Sequence, residues 1–377
     1  MNIDKSTVRY EDWLGAQLKD ELVGKDLDRK HEKMASGAFP FLRATYWRWS
    51  ETILDVCPEL ADAPPVLAVG DIHLENFGTW RDVDGRLVWG VNDFDEATEM
   101  SYALDLVRLA VSAVLADDAR NTSVDYICDT ILDGYEDGLK RPRATVLDRR
   151  HGWLREIVEV KDKARHKFWD ELKELKPAKE PARPRYVAAL NAALPEPAKN
   201  VKILPRRAGA GSLGRPRWVA ITKWRGAPVV REAKVLVPSA WNLVPGRGGF
   251  SIRWNEIATG RYRAPDPWFQ LTDNIVVRRL SPNNRKIEAD KEKDREILLG
   301  EQMLKAMGHD LASIHLGSED LSAEIEGDLK RRRKSWLRAA AQAAQRKVES
   351  DFAAWAAKHP AAGKDKGKAK SGTDEAG

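Results

Sequence analysis

The chain has 377 residues, 42% hydrophobic and 32% charged, a balance that fits a globular protein long enough to bury a core without staples. Two cysteines, Cys57 and Cys128, exclude a disulfide framework or a four-cysteine zinc site. No apolar run reaches bilayer length and Met1 to Lys5 has no signal-peptide core, so a cytoplasmic protein with no membrane partner is expected. The net charge of +5 is uneven: residues 330–377 carry 13 Lys and Arg against 5 Asp and Glu, and the remainder 50 against 53, so nucleic acid is not an expected partner outside the basic tail.

Residues 1 to about 60 read as helical, with Trp13, Leu14, Leu18 and Leu22 at helical spacing and a second apolar stretch from Phe39 to Leu54. Val66 to Val69 is a short buried strand running into Gly70-Asp71. Asn76–Arg81 and Arg86–Val91 flank Asp82-Val83-Asp84-Gly85, which predicts a β-hairpin. Its return strand ends in Asn92-Asp93-Phe94-Asp95-Glu96, and a helix follows with Leu104, Val107, Val111 and Val114 on its buried side. Residues 120–195 read as helical, with a proline-bearing linker at 177–184. From about 200 the texture is β: Trp218–Thr222, Val229–Val235 and Asn274–Arg278. A helix is expected over 290–316, then a solvated basic helix from Leu329 to about Ala357 and a disordered end.

The densest chemical signal is Gly70-Asp71-Ile72-His73-Leu74-Glu75-Asn76, the hairpin, then Asp93-Phe94-Asp95. Phosphoryl transfer needs one carboxylate to take or orient the nucleophile's proton, and oxygen ligands to hold Mg²⁺ against nucleotide phosphates. Asp71 supplies the first. Asn76 offers a neutral carbonyl oxygen five residues on, and the hairpin returns Asp93 beside it. His73, Asp95 and Glu96 are accessory candidates: His73 as a neutral hydrogen-bonding scaffold ahead of a metal ligand, Asp95 and Glu96 as second-metal ligands or solvated carboxylates.

A second signal is Gly209-Ala210-Gly211-Ser212-Leu213-Gly214, followed by strands and Lys234. Glycines let backbone N–H groups approach phosphates closely. Pro216 and the β run after it exclude a dinucleotide fold, which needs a long helix there. Gly209, Gly211, Ser212, Gly214 and Lys234 are therefore the nucleotide-binding candidates. Glu232 shares a strand face with Lys234 and is placed to neutralise it; Glu256 is a further candidate for orienting that lysine. Arg43, after a run of aromatics, is a candidate phosphate or carboxylate partner.

The Gly-Asp-x-His-x-x-Asn loop, hairpin, Asp-Phe and following Asp105-Leu106 resemble the protein-kinase-like superfamily, on its aminoglycoside-phosphotransferase and choline-kinase side. The resemblance implies that Asp71 is the catalytic aspartate, that Asn76 and Asp93 are metal ligands, and that Asp105 has a buried structural role; Val69 stands where that family usually has His. The glycine loop follows the catalytic loop by about 130 residues instead of preceding it. Leu311-Ala312-Ser313-Ile314-His315 resembles the helix end that usually precedes the catalytic loop, so a circular permutation is expected. From roughly residue 20 to 320 the chain also resembles an uncharacterised bacterial family, domain of unknown function 2252.

The fold class expected is therefore α+β: a two-lobed, protein-kinase-like fold, circularly permuted, with a small antiparallel β lobe and a larger helical lobe. Residues 1–65 are a helical segment on the helical lobe, 66–200 the catalytic lobe, 201–288 the β lobe, 289–320 a returning helix and 321–377 the tail. The function expected is an ATP- and Mg²⁺-dependent phosphotransferase acting on a hydroxyl-bearing acceptor. The alternatives are AMP transfer on the same fold, and an inactive nucleotide-binding scaffold whose basic tail binds an acidic partner.

Overall fold

The structure is a computed structural model and describes residues 1–117 and 121–360. Four helices open the chain: α1 (Ile3–Leu18), α2 (Gly24–Met34), α3 (Ala38–Ala44) and α4 (Tyr46–Val56). Strand β1 (Pro65–Ala68) leads into the loop around Asp71. It pairs antiparallel with β4 (Thr98–Ser101), a strand the sequence pattern did not separate from the helix after it.

The hairpin forms as β2 (Phe77–Arg81) and β3 (Leu87–Val91), with Phe77 opposite Val91. Its turn is held by Asp82, whose Oδ1 accepts the N–H groups of Asp84 and Arg86 at 3.1 and 2.9 Å. Helix α5 (Tyr102–Ala116) is apolar nearly all round, and is buried nearly all round in consequence. Then come α6 (Val124–Lys140), the short β5 (Thr145–Val146) pairing with β3, α7 (Gly152–Ile157), α8 (Asp162–Lys173) and α9 (Pro184–Ala192).

A five-stranded antiparallel sheet follows: β6 (Lys199–Pro205), β7 (Arg217–Trp224), β8 (Ala227–Val235), β9 (Gln270–Thr272) and β10 (Ile275–Leu280), in spatial order β6-β7-β8-β10-β9. The glycine loop joins the first two strands, and Lys234 lies on the third. A short helix, α10 (Trp254–Ala258), lies between β8 and β9.

The helix expected over 290–316 breaks at Gly300 into α11 (Glu292–Leu299) and α12 (Glu301–His315). Helices α6 and α12 cross almost backbone to backbone: a Cβ on Gly308 would stand 2.2 Å from the Ile131 carbonyl oxygen, and one on Gly134 2.1 Å from that of Lys305. Small residues there permit a contact no side chain would.

The tail departs from expectation. It folds as α13 (Ser322–Arg331) and α14 (Trp336–Ala356), and α14 is no solvated helix. Leu337, Ala340, Ala341, Ala344, Val348 and Trp355 bury one face in the main core, beside α3, α4 and α5. Arg48 Nε and Asp351 Oδ2 pair at 2.8 Å across that contact. The positive charges lie on the other face, so composition alone misjudged the helix. The expected disordered end, from residue 361, lies outside the described residues. Lys358 Nζ meets Asp4 Oδ2 at 2.5 Å, which brings the two ends of the described chain together.

Residues 1–65 do more than cover the helical part. The Val23 N–H donates to the Gly214 carbonyl at 3.0 Å, and a Cβ on Gly214 would lie 2.8 Å from a Leu27 methyl. Helices α1 and α2 therefore strap the glycine loop down.

Candidate functional site

The loop after β1 is hung on one buried carboxylate. Asp105 on α5 accepts the N–H of Val69 at 2.7 Å and that of Gly70 at 3.0 Å. Gly70 has φ +83°, and a Cβ there would stand 2.4 Å from the Glu96 carbonyl oxygen, so only glycine fits. Asp71 then projects onto Arg108, whose Nε lies 3.1 Å from Oδ1 and whose Nη2 pairs with the same oxygen. The Arg108 side chain is 0% exposed, and its guanidinium lies 4.9 Å from the Tyr46 ring and 5.1 Å from the Trp49 ring. Burial pushes the Asp71 carboxyl up to about 6, against the opposing pull of Arg108.

His73 is a scaffold group. Its Nδ1 accepts the Glu75 N–H at 3.1 Å, and burial holds its pKa well below the usual value, so the ring is neutral. Glu75 pairs with Arg43 Nη1 at 2.7 Å and accepts the Ala289 N–H at 2.9 Å. Arg43 is thus a carboxylate partner here and still lines the cavity holding Asp71.

Asn76 and Asp93 come together as the hairpin requires. The Asn76 amide nitrogen donates to the backbone carbonyls of Asp71 at 2.7 Å and Asp93 at 3.2 Å, which leaves the amide oxygen as the atom for a cation. The Asp93 side chain is 41% exposed. Burial would raise its pKa, but Lys234, Arg278 and Lys286 outweigh that and hold it well below the ordinary range. Among the described residues no three or more His, Cys, Asp and Glu side chains gather as a self-sufficient metal site. Asn76 and Asp93 could supply two oxygens to a divalent cation, which would need its other ligands from outside the chain.

Asp95 and Glu96 do not face water. Lys234 Nζ lies 2.5 Å from Asp95 Oδ2 and 3.5 Å from Asp93 Oδ1. Burial, and then the charge of Asp93, raise the Asp95 pKa. Glu96 is a buttress: it takes Arg215 Nη2 at 2.9 Å and the Ala240 N–H at 2.7 Å. Lys234 therefore belongs to the Asp93–Asp95 pair, and the expected neutralisation by Glu232 does not occur. Glu232 is held instead by Arg206, Arg217 and Arg278. Glu256, half-exposed on α10, pairs with Arg253 and does not orient Lys234.

The glycine loop lies directly over this group. A Cβ on Gly211 would stand 3.3 Å from Asp71 Oδ2 and 3.3 Å from the Arg43 carbonyl oxygen. Gly209 and Gly214 have φ of +77° and +95°. The Ser212 hydroxyl accepts from Arg217 Nη2 at 2.9 Å. Lys30 on α2, which sequence reasoning missed, donates to the Gly211 carbonyl at 3.2 Å. It is 1% exposed, between the rings of Tyr10 at 4.8 Å and Trp47 at 4.6 Å, and burial pushes its pKa down to about 7.

Two cavities meet here. One of about 60 Å³ holds Asp71; the other, of about 330 Å³, opens between the sheet and the hairpin. Asp93, Gly209 and Lys286 line both and mark the join.

The model of a family described as an uncharacterized protein conserved in bacteria (DUF2252) matches residues 23–174. The match supports the resemblance to that family from α2 to the end of α8, a span that holds Asp71, Asn76, Asp93 and Arg108. It leaves the glycine loop, Lys234 and α12 outside. No curated protein and no solved structure matches the chain. No helix among the described residues is long and apolar enough to cross a membrane.

Proposed function

We propose that the chain is a kinase-like, ATP- and Mg²⁺-dependent transferase that moves a phosphorus-centred group onto a hydroxyl-bearing acceptor. One observation carries the reading: the glycine loop closes on Asp71 while Lys234 pairs with Asp93 and Asp95. Parts of the chain far apart in sequence meet at one point, in the combination nucleotide chemistry uses. The antiparallel sheet supports it, with the loop between its first two strands and the lysine on its third. So does His315 at the end of α12, 3.1 Å from Asp105, which lends weight to the permuted order.

The residues divide the work. Arg108 fixes one oxygen of Asp71 and leaves the other toward the loop, where it takes the acceptor's proton. For phosphoryl transfer, the acceptor oxygen bonds to the γ-phosphorus, the bond from that phosphorus to the bridging oxygen breaks, and ADP leaves. Asn76 and Asp93 would hold Mg²⁺, which neutralises phosphate charge when bound. Lys234 would add a fixed cation, and N–H groups of the glycine loop would be available to the phosphates. Positioning does most of the work.

The test is thermal unfolding with and without Mg²⁺ and ATP. At a hundredfold excess over Kd, binding adds about 2.7 kcal/mol. An unchanged midpoint at millimolar nucleotide rejects the reading.

A further inference from the structure

Glu232 on β8 is buried, and three guanidiniums converge on it: Arg206 just past β6, Arg217 at the start of β7 and Arg278 on β10. Arg217 Nη1 and Arg278 Nη2 both reach Oε1, at 2.6 and 2.7 Å. One carboxylate offsets one of three cations, so the cluster keeps a surplus of positive charge. All three arginines line the 330 Å³ cavity. Arg263 and Arg279 line it too, but each has its own carboxylate, Asp310 and Asp266. Among the described residues no second carboxylate forms an ion pair with Arg206, Arg217 or Arg278, although Asp93 and Asp95 act on Arg278 through space.

This wall is a poor seat for the neutral base of ATP. A neutral ring there would strip water from guanidiniums and return little. Linked phosphates match both the charge and the forked donor geometry. Arg217 also holds Ser212, so a ligand on this wall is coupled to the glycine loop.

We propose that Arg206, Arg217 and Arg278 form a receptor for a chain of two or more linked phosphates, in the larger cavity, which Asp71 does not line. The inference deepens the nucleotide reading and rests on it for the source of the chain. If the chain is the nucleotide's own tail, the α-phosphorus faces Asp71. The acceptor oxygen then bonds to that phosphorus, the α–β bridging bond breaks, pyrophosphate leaves on the arginines, and the hydroxyl proton passes to Asp71. If the chain belongs to a second, phosphorylated substrate, the γ-phosphorus of ATP faces Asp71 and its base lies elsewhere in the cleft.

The experiment is calorimetric titration of the full chain with inorganic tripolyphosphate, with and without saturating Mg²⁺ and ATP. The comparison is the double variant Arg206→Gln/Arg278→Gln. Arg217 remains on Glu232 in that variant, so the buried carboxylate keeps a partner, and circular dichroism checks the fold. Tripolyphosphate binds the unaltered chain, and the variant binds at least tenfold more weakly. Blockade by ATP, with pyrophosphate and not ADP as the product, assigns the chain to the nucleotide; binding alongside ATP assigns it to the second substrate. Failure of tripolyphosphate to bind, or undiminished binding by the variant, overturns the receptor even if ATP binds. Tripolyphosphate binding without any ATP binding keeps the receptor and ends the nucleotide reading.

Discussion

His315 Nε2 stands 3.1 Å from Asp105 Oδ2, although 210 positions separate the two residues. The same carboxylate carries the N–H groups of Val69 and Gly70, and Tyr135 Oη lies 2.8 Å from His315 Nδ1. A late helix thus sets the frame of an early loop. Asp105→Ala leaves two buried N–H groups and a buried imidazole without their partner, at a cost of about 3–5 kcal/mol. Guanidinium unfolding checks it; a loss under about 1 kcal/mol removes Asp105 from this role.

Asp71 is both a candidate base and the counter-ion of a fully buried arginine. Asp71→Ala therefore abolishes turnover and also destabilises by about 3 kcal/mol, since a buried charge is left alone. Asp71→Asn keeps an oxygen for Arg108 and separates the two effects, with turnover lost and most stability retained. Asp93→Asn, at a half-exposed side chain, weakens Mg²⁺–ATP binding with little change in unfolding midpoint. Equal ATP affinity in Asp93→Asn and the unaltered chain removes it from the metal.

Lys30 gives the chain a pH signature. Its folded pKa, about 7, lies below the ordinary 10.5, so between those values the unfolded chain binds the extra proton. Stability from this group therefore rises with pH across that window, and the cost of burying its charge is greatest below pH 7. Lys30→Met stabilises by about 1–3 kcal/mol at pH 6, and the advantage shrinks toward pH 10. Parallel stability curves for the two proteins across that range contradict the account.

Removing residues 336–377 takes an apolar face out of the core with α14. Val348 and Trp355 alone bury enough that about 3 kcal/mol or more is lost. The shortened chain should be aggregation-prone or unfolded at 37 °C, as solubility and circular dichroism would report; a stable, soluble product would mean that the α14 contact is dispensable.

Local spacing made part of the site legible. The Asp71–Asn76 loop, the hairpin and the return of Asp93 to Asn76 all follow from short-range pattern. Arg108 was visible as the single charge in the apolar run Leu106–Ala116, yet nothing local names Asp71 as its partner. Lys30 sits in a charge-rich helix, and its only cue is helical register with Leu27 and Met34 on the buried side. Glu232 and Lys234 share a strand face as alternation dictates, but three arginines and two aspartates from elsewhere decide their partners. Charge counting failed at α14 because a composition sums over faces that the fold separates.

The contact between Asp4 and Lys358 puts the two ends of the described chain within side-chain reach of each other. A short peptide joining residue 360 to residue 3 would close the backbone into a ring, and cutting the ring in the exposed stretch just before Lys199 would create a polypeptide that starts with the sheet and finishes with α9. Such a rewired molecule should refold, since the cut falls between α9 and β6 and the new link need cross only the gap that the Asp4 and Lys358 side chains bridge.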